Sequence, residues 1–149
     1  RDDVESRGLG DVYKRQKHRF FTAQKNFSQD ITDAVCHATC TTAYDLGAKA
    51  ILTVTKSGKS ARMISRHRPD CMIIAGSTNV KVCRQLNLSW GVTPVLLQEK
   101  EDVLELFDYA VDVAKENGLV QPDDIVVITS GVPIGKSGTT NMMKVHTVE

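Results

Sequence analysis

A short apolar segment that ends in a loop of small hydroxyl residues constrains this chain more than any other feature. Residues 50–54, AILTV, have the composition of a buried strand, and the loop TKSGKS follows at residues 55–60. A basic segment, ARMISRHR, comes next and predicts the start of a helix. The first amides of a helix lack intrahelical partners and the helix dipole is positive there, so this arrangement predicts an anion site.

The loop itself carries groups that suit a phosphate. Hydroxyls donate hydrogen bonds, ammonium groups supply positive charge, and glycine permits a close approach of the backbone. The predicted phosphate-binding residues are Thr55, Lys56, Ser57, Gly58, Lys59 and Ser60. The alternative is an ordinary strand-to-helix turn in which a serine caps the helix, and the loop alone does not decide between the two.

The remaining pattern predicts one open α/β sheet with helices on both faces. A first helix ends at Gly47, and its apolar positions on or near one face are Ile31, Ala34, Val35, Ala38 and Leu46. Further helices are expected at residues 60–67, 80–88 and 102–117, and further strands at residues 71–77, 91–97, 124–130 and 141–148. Pro94 indicates an edge or near-edge strand, since proline cannot donate to a sheet ladder.

A second loop rich in glycine follows the strand at residues 124–130, which is predicted to be central and to neighbour the strand at residues 50–54. Loops at the carboxyl ends of parallel strands meet on one edge of the sheet, where ligands bind. The residues predicted to close over a phosphorylated small molecule are Gly131, Gly135, Lys136, Ser137, Gly138 and Thr139. The alternative is a pair of ordinary surface turns.

The sequence gives little support for a Walker A motif, a catalytic site or a metal site. Both GKS triplets lack the glycine that a Walker A motif requires five positions earlier, where Thr53 and Ser130 stand instead. None of the four histidines has a nucleophile or carboxylate at a suggestive spacing, so the sequence indicates no catalytic residues. The four cysteines form no CxxC pair, and we expect buried free thiols rather than a metal site.

Composition excludes several classes of partner. The net charge of the 149 residues is +1 and aromatic residues make up 5%, which argues against a nucleic-acid-binding surface. No apolar run approaches the roughly 20 residues of a membrane span, so we expect no membrane contact and a cytoplasmic location. Residues 1–16 have the character of a leader that does not belong to the fold, residues 17–27 that of a linker, and residues 28–149 that of one α/β domain.

Three segments together resemble the C-terminal domain of pyruvate kinase. They are GAKAILTVTKSGKSARMISRHRPDCMIIAGS, RQLNLSWGVTPVLL and GLVQPDDIVVITSGVPIGKSGTTNMMKVHTV, in this order from about residue 32 to residue 148. The resemblance implies a three-layer α/β/α domain with a five-stranded, mostly parallel sheet whose last strand is antiparallel. It implies that residues 55–60 hold the phosphate of an allosteric effector and that residues 131–139 are the effector loop. It also implies a homo-oligomer formed through the last strand and the first helix.

The chain departs from the family pattern in two ways. Members that bind fructose 1,6-bisphosphate often hold the second phosphate with an arginine and a tryptophan, but residues 98–107 contain only Lys100 as a cation, and Trp90 lies outside that stretch. We therefore expect a sugar monophosphate or a nucleotide. The catalytic barrel, which in the family binds phosphoenolpyruvate, ADP, Mg²⁺ and K⁺, is not in this sequence, so we expect a fragment of a glycolytic pyruvate kinase without its own active site or cofactor. The alternative is an oligomerisation module that binds no ligand.

Overall fold

The computed structural model describes residues 30–131 and 140–149 of the chain. The leader and linker predicted for residues 1–27 lie outside the described residues. In chain order the elements are α1 (Ile31–Leu46), β1 (Ala50–Val54), α2 (Lys59–Arg66), β2 (Met72–Ser77), α3 (Val80–Leu86), β3 (Val92–Leu96), α4 (Val103–Glu116), β4 (Ile125–Ser130) and β5 (Met142–Thr147). Each predicted helix and strand is present, with ends shifted by a few residues.

The five strands form one sheet in the order β3-β2-β1-β4-β5. The first four are parallel to their neighbours, and β5 runs antiparallel to β4. This confirms the predicted α/β class and the antiparallel last strand. It also confirms the edge position that Pro94 indicated, because β3 pairs with β2 alone among the described strands.

Alternate residues of the strands pack into separate cores on the two faces of the sheet. On one face, α4 buries Phe107 against strand residues such as Leu52 and Ile128. On the other, α1 and α2 cover Ile51 and its neighbours, and α3 completes that face over Ala75. The result is the three-layer arrangement that the resemblance implied, with one helix on one side and three on the other.

Helix α1 turns a different side to the sheet from the apolar stripe that its sequence suggested. Its buried residues are Thr32, Cys36, Thr39, Cys40 and Ala43, whereas Ile31 is 68% exposed and Ala34 and Ala38 are also exposed. Small side chains let the helix approach the sheet closely, and the hydroxyl of Thr39 donates within the helix to the carbonyl oxygen of Val35 at 2.7 Å. Polar residues are therefore buried at little cost while an apolar stripe stays outside.

The four cysteines are free thiols, as predicted, but only two of them are buried. Cys36 and Cys40 lie on the buried side of α1, and Cys71 and Cys83 are half-buried. Burial raises the pKa of Cys40 to about 12, and the neighbouring thiols Cys36 and Cys71 act in the same direction. A thiol that stays protonated is a poor nucleophile, so this cluster is structural.

Helix α2 begins at Gly58, which has a left-handed backbone with φ +81°. Gly58 has no side chain with which to cap the helix. The serine cap of the alternative interpretation is represented by Ser57, whose Oγ accepts a hydrogen bond from the amide of Lys59 at 3.4 Å. A Cβ atom at position 58 would lie 3.0 Å from Nη1 of Arg62 and 3.2 Å from side-chain carbons of both Val82 and Leu86. Glycine is required here by backbone conformation and by space.

Two histidines meet where α1 packs beside the end of α2. The ring centroids of His37 on α1 and of His67, which caps the C-terminus of α2, are 5.6 Å apart. Burial lowers the pKa of each histidine, and the charges of His37 and Arg66 lower the pKa of His67 further. Asp33 opposes these effects by raising the pKa of His67. The contact between the two helices therefore favours neutral imidazoles.

We expect the free energy of unfolding to fall as the pH drops below the ordinary histidine value of 6.5. Below that pH the unfolded chain binds protons that the folded chain resists, so this contribution to stability is complete above it and is lost as the pH falls beneath it. Urea unfolding between pH 5 and 8 measures the slope of stability against pH. The double variant His37→Gln/His67→Gln should flatten this slope. An unchanged slope in the double variant would contradict the assignment.

We expect Gly58→Ala to destabilise the domain more than Gly118→Ala. Both glycines have positive φ, so each alanine carries a backbone penalty of roughly 1 kcal/mol. No described heavy atom lies within 4 Å of a Cβ at Gly118, whereas a Cβ at Gly58 meets Arg62, Val82 and Leu86. The difference in unfolding free energy between the two variants, measured with urea, gives the effect of crowding at position 58. Equal losses of stability would show that Arg62 and α3 move aside without cost.

Candidate anion-binding site

The two predicted binding loops start side by side on the carboxyl edge of the sheet. Val54, the last residue of β1, is in register with Ser130, the last residue of β4, and the two strands are parallel. Thr55 and Gly131 follow directly, and Gly131 is half-buried. The other predicted members of the effector loop, Gly135, Lys136, Ser137, Gly138 and Thr139, lie outside the described residues. The predicted adjacency of the two strands is therefore confirmed.

Residues 55–60, here called the phosphate loop, form a tight turn held by its own hydroxyls. The buried Oγ1 of Thr55 accepts a hydrogen bond from the amide of Gly58 at 2.9 Å. The Oγ of Ser57 accepts a longer one from the amide of Lys59 at 3.4 Å. Lys56 and Lys59 are exposed, whereas Ser57 is half-buried. The loop thus holds three hydroxyls and two ammonium groups around the start of α2.

Arg62 belongs to this site although the sequence analysis did not single it out. Its Nη2 donates to the carbonyl oxygen of Ser57 at 3.3 Å, and its Nη1 lies beside Gly58. Arg62 stands four residues after Gly58, one helical turn into α2, so its side chain reaches back over the loop. That spacing is the signal in the sequence from which Arg62 could have been found.

Ser60, the last residue of the phosphate loop, is buried and its hydroxyl is hydrogen-bonded to the hydroxyl of Thr140. The amide of Thr140 also donates to Oγ1 of Thr32 on α1 at 3.3 Å. Thr140 was not predicted as a site residue. Its contact with Ser60 spans 80 residues of sequence, and no local pattern carries information over that separation.

The start of α2 carries an excess of positive charge. Its first turn contains no acidic side chain, and Lys59 occupies the first helical position with Arg62 one turn later. Cations at a helix N-terminus are repelled by the helix dipole, whereas an anion there is attracted by it. Residues 55–62 contain no carboxylate or imidazole that could move a proton.

Within residues 30–131 and 140–149, no group of three or more histidine, cysteine, aspartate or glutamate side chains could hold a metal ion. Among the described helices, none is both long enough and apolar enough to cross a membrane.

Comparison with known proteins yields one family. A family model described as the pyruvate kinase alpha/beta domain matches residues 33–146. The chain is 44% identical to a pyruvate kinase of Lactobacillus delbrueckii subsp. bulgaricus over 119 residues, which are 80% of this chain and 20% of that protein. It is 43% identical to a pyruvate kinase of Clostridium acetobutylicum over 132 residues, 88% of this chain and 28% of that one. A pyruvate kinase of Geobacillus stearothermophilus is 42% identical over 134 residues, 89% and 23% of the two chains.

The match thus covers most of this chain but only 20–28% of the length of these three relatives. The family model covers the phosphate loop, the helix that follows it, the strands β1 to β4 and all of β5 except Thr147. The fold and the matching family agree with the resemblance seen in the sequence. The chain belongs to the pyruvate kinase alpha/beta domain family.

Proposed function

We propose that this domain binds the phosphate group of a small metabolite at the phosphate loop and thereby regulates a pyruvate kinase. In the complete enzyme, which would act in cytoplasmic glycolysis, the rest of the protein would convert phosphoenolpyruvate and ADP to pyruvate and ATP. Any Mg²⁺ and K⁺ would belong with that catalytic part. This domain would supply the effector site and contacts between subunits.

One observation gives the main support for the proposed effector site. The cations Lys59 and Arg62 stand at the start of a helix that has no acidic residue in its first turn. This arrangement is unfavourable by itself, because the two cations repel each other and the positive end of the helix dipole. A bound anion offsets this repulsion, since it attracts both cations and is attracted by the dipole. The site also lies at the carboxyl edge of parallel strands, where open α/β sheets bind ligands.

The groups around the loop favour a ligand with one phosphate. Lys100, the only cation in residues 98–107, has its Nζ 5.0 Å from the ring centroid of Tyr109. Trp90 lies just before β3, at the amino edge of the sheet, with the guanidinium carbon of Arg68 4.7 Å from its ring centroid. Neither residue supports a second phosphate position near the loop. A sugar monophosphate or a nucleotide is the ligand class that fits.

We expect a titration calorimeter to detect saturable binding of one ligand among fructose 1,6-bisphosphate, glucose 6-phosphate, ribose 5-phosphate and AMP. The double variant Ser57→Ala/Ser60→Ala should weaken that binding at least about tenfold, because it removes two donors to a charged group. Ser89→Ala, at the opposite edge of the sheet, is the matched control and should bind as the parent does. If no ligand binds to the parent protein, there is no effector site of this kind.

A second function, self-association, is favoured by the exposed apolar residues of β5 and α1. Met143 and Val145 are 37% and 46% exposed, and their partners Thr129 and Val127 on β4 place them on the α1 side of the sheet. The exposed stripe of α1, which includes Ile31, lies on the same side. Because β5 is the last strand in the sheet order, its outer edge can also pair with another strand. We propose a two-fold contact between copies through these two elements.

We expect the double variant Met143→Lys/Val145→Lys to shift the protein towards monomer in sedimentation velocity measured over a range of concentrations. Two charges brought to a self-complementary contact would face their own copies across it, and their burial is unfavourable. Leu88→Lys is the control, since Leu88 is 91% exposed but lies between α3 and β3. A parent protein that stays monomeric at every concentration would overturn the proposed contact.

A further inference from the structure

We propose that Thr140 is a positioning residue of the effector site, which acts by fixing the direction in which the Ser60 hydroxyl points its proton. This inference rests on the proposed function. Thr140 is 2% exposed and Ser60 is 8% exposed, so neither hydroxyl depends on bulk water for its hydrogen bonds. Their mutual bond links the first turn of α2 to the segment that leads into β5.

The direction of the bond between the two hydroxyls decides what Ser60 can do. Each hydroxyl has one proton to donate and lone pairs that accept. The doubly ionised phosphate of a sugar or nucleotide monoester offers only acceptor oxygens. If Ser60 is to hold such a group, its proton must go to the phosphate, and its oxygen must then accept from Thr140. A donor bond received by Ser60 also polarises its own O–H group and strengthens the bond to the ligand.

The backbone around Thr140 is held by hydrogen bonds to α1 and to the end of β4. Its amide donates to Oγ1 of Thr32, which lies in the first turn of α1 and is 3% exposed. The amide of the next residue, Asn141, donates to the carbonyl oxygen of Ser130 at 3.2 Å. These two backbone bonds set the position of Thr140 independently of its side chain. Its hydroxyl is therefore presented to Ser60 by a fixed backbone.

Two other threonines at this end of the sheet show what a buried hydroxyl without such a role looks like. Thr53 on β1 and Thr129 on β4 are directly in register, and both are 0% exposed. Within the described part of the chain, neither Oγ1 has a hydrogen-bond partner. Burial of a hydroxyl is thus not enough to build the site. Thr129→Val provides a control of the same size change as Thr140→Val.

The test measures the affinity of the intact chain for inorganic phosphate and glucose 6-phosphate by calorimetry, with thermal unfolding of each variant alongside. We expect Thr140→Val to weaken binding about fivefold, which corresponds to one lost hydrogen bond. Thr140→Ser, which keeps the hydroxyl, should bind with the affinity of the parent protein. Thr129→Val should leave the affinity unchanged. If Thr140→Val does not fold, Thr140→Ala replaces it.

A double-mutant cycle separates positioning from simple structural support. When Ser60→Ala is already present, Thr140→Val should have no further effect on affinity, because Thr140 acts through Ser60. If Thr140→Val lowers the affinity equally in the parent protein and in Ser60→Ala, the inference is overturned. It is also overturned if Thr140→Val binds as tightly as the parent protein while Ser57→Ala/Ser60→Ala binds weakly. If the parent protein binds neither probe nor any of the four metabolites, the proposed effector site fails and the role of Thr140 fails with it.

Discussion

The parallel pairing of β1 with β4 is the constraint on which the rest of this domain depends. These strands are separated in sequence by two other strands and three helices, yet Val54 and Ser130 are in register. That register brings the phosphate loop next to the segments before and after residues 132–139. A shift of β4 by one residue relative to β1 would turn Thr129 to the opposite face from Thr53 and move the loop ends apart. The candidate site is a product of non-local pairing.

The packing of α1 against this sheet determines both which of its residues are buried and which apolar residues remain exposed. Its buried side consists of small residues, whose side chains fill little space and allow a close approach of helix and strands. The same choice leaves Ile31 and its exposed neighbours outside, on the side of the sheet where Met143 and Val145 are also exposed. The packing of α1 therefore also leaves exposed the apolar residues on which the proposed subunit contact rests.

Many hydroxyl side chains lie at the carboxyl edge of the sheet, and only some of them form hydrogen bonds within the described part of the chain. Thr55, Ser60, Thr32 and Thr140 each take part in hydrogen bonds around the start of α2. Thr53 and Thr129 are buried without a described partner. Unpaired buried polar groups lower stability, and proteins tolerate them most often near sites of function. Among these residues, the hydroxyls that form hydrogen bonds are thus those around the start of α2, whereas those of Thr53 and Thr129 inside β1 and β4 have no described partner.

The sequence by itself determined the elements, their order and the α/β class, because apolar periodicity, proline and glycine act over a few residues. Pro94 marked an edge strand, and residues 55–60 marked the loop before α2. Only the tertiary structure decided which side of α1 is buried, since that depends on the space between helix and sheet. It alone brought Thr140 to Ser60, because a contact across 80 residues depends on strand register. Local chemistry was thus readable from the sequence, whereas the partners of each group were determined by how the strands pair.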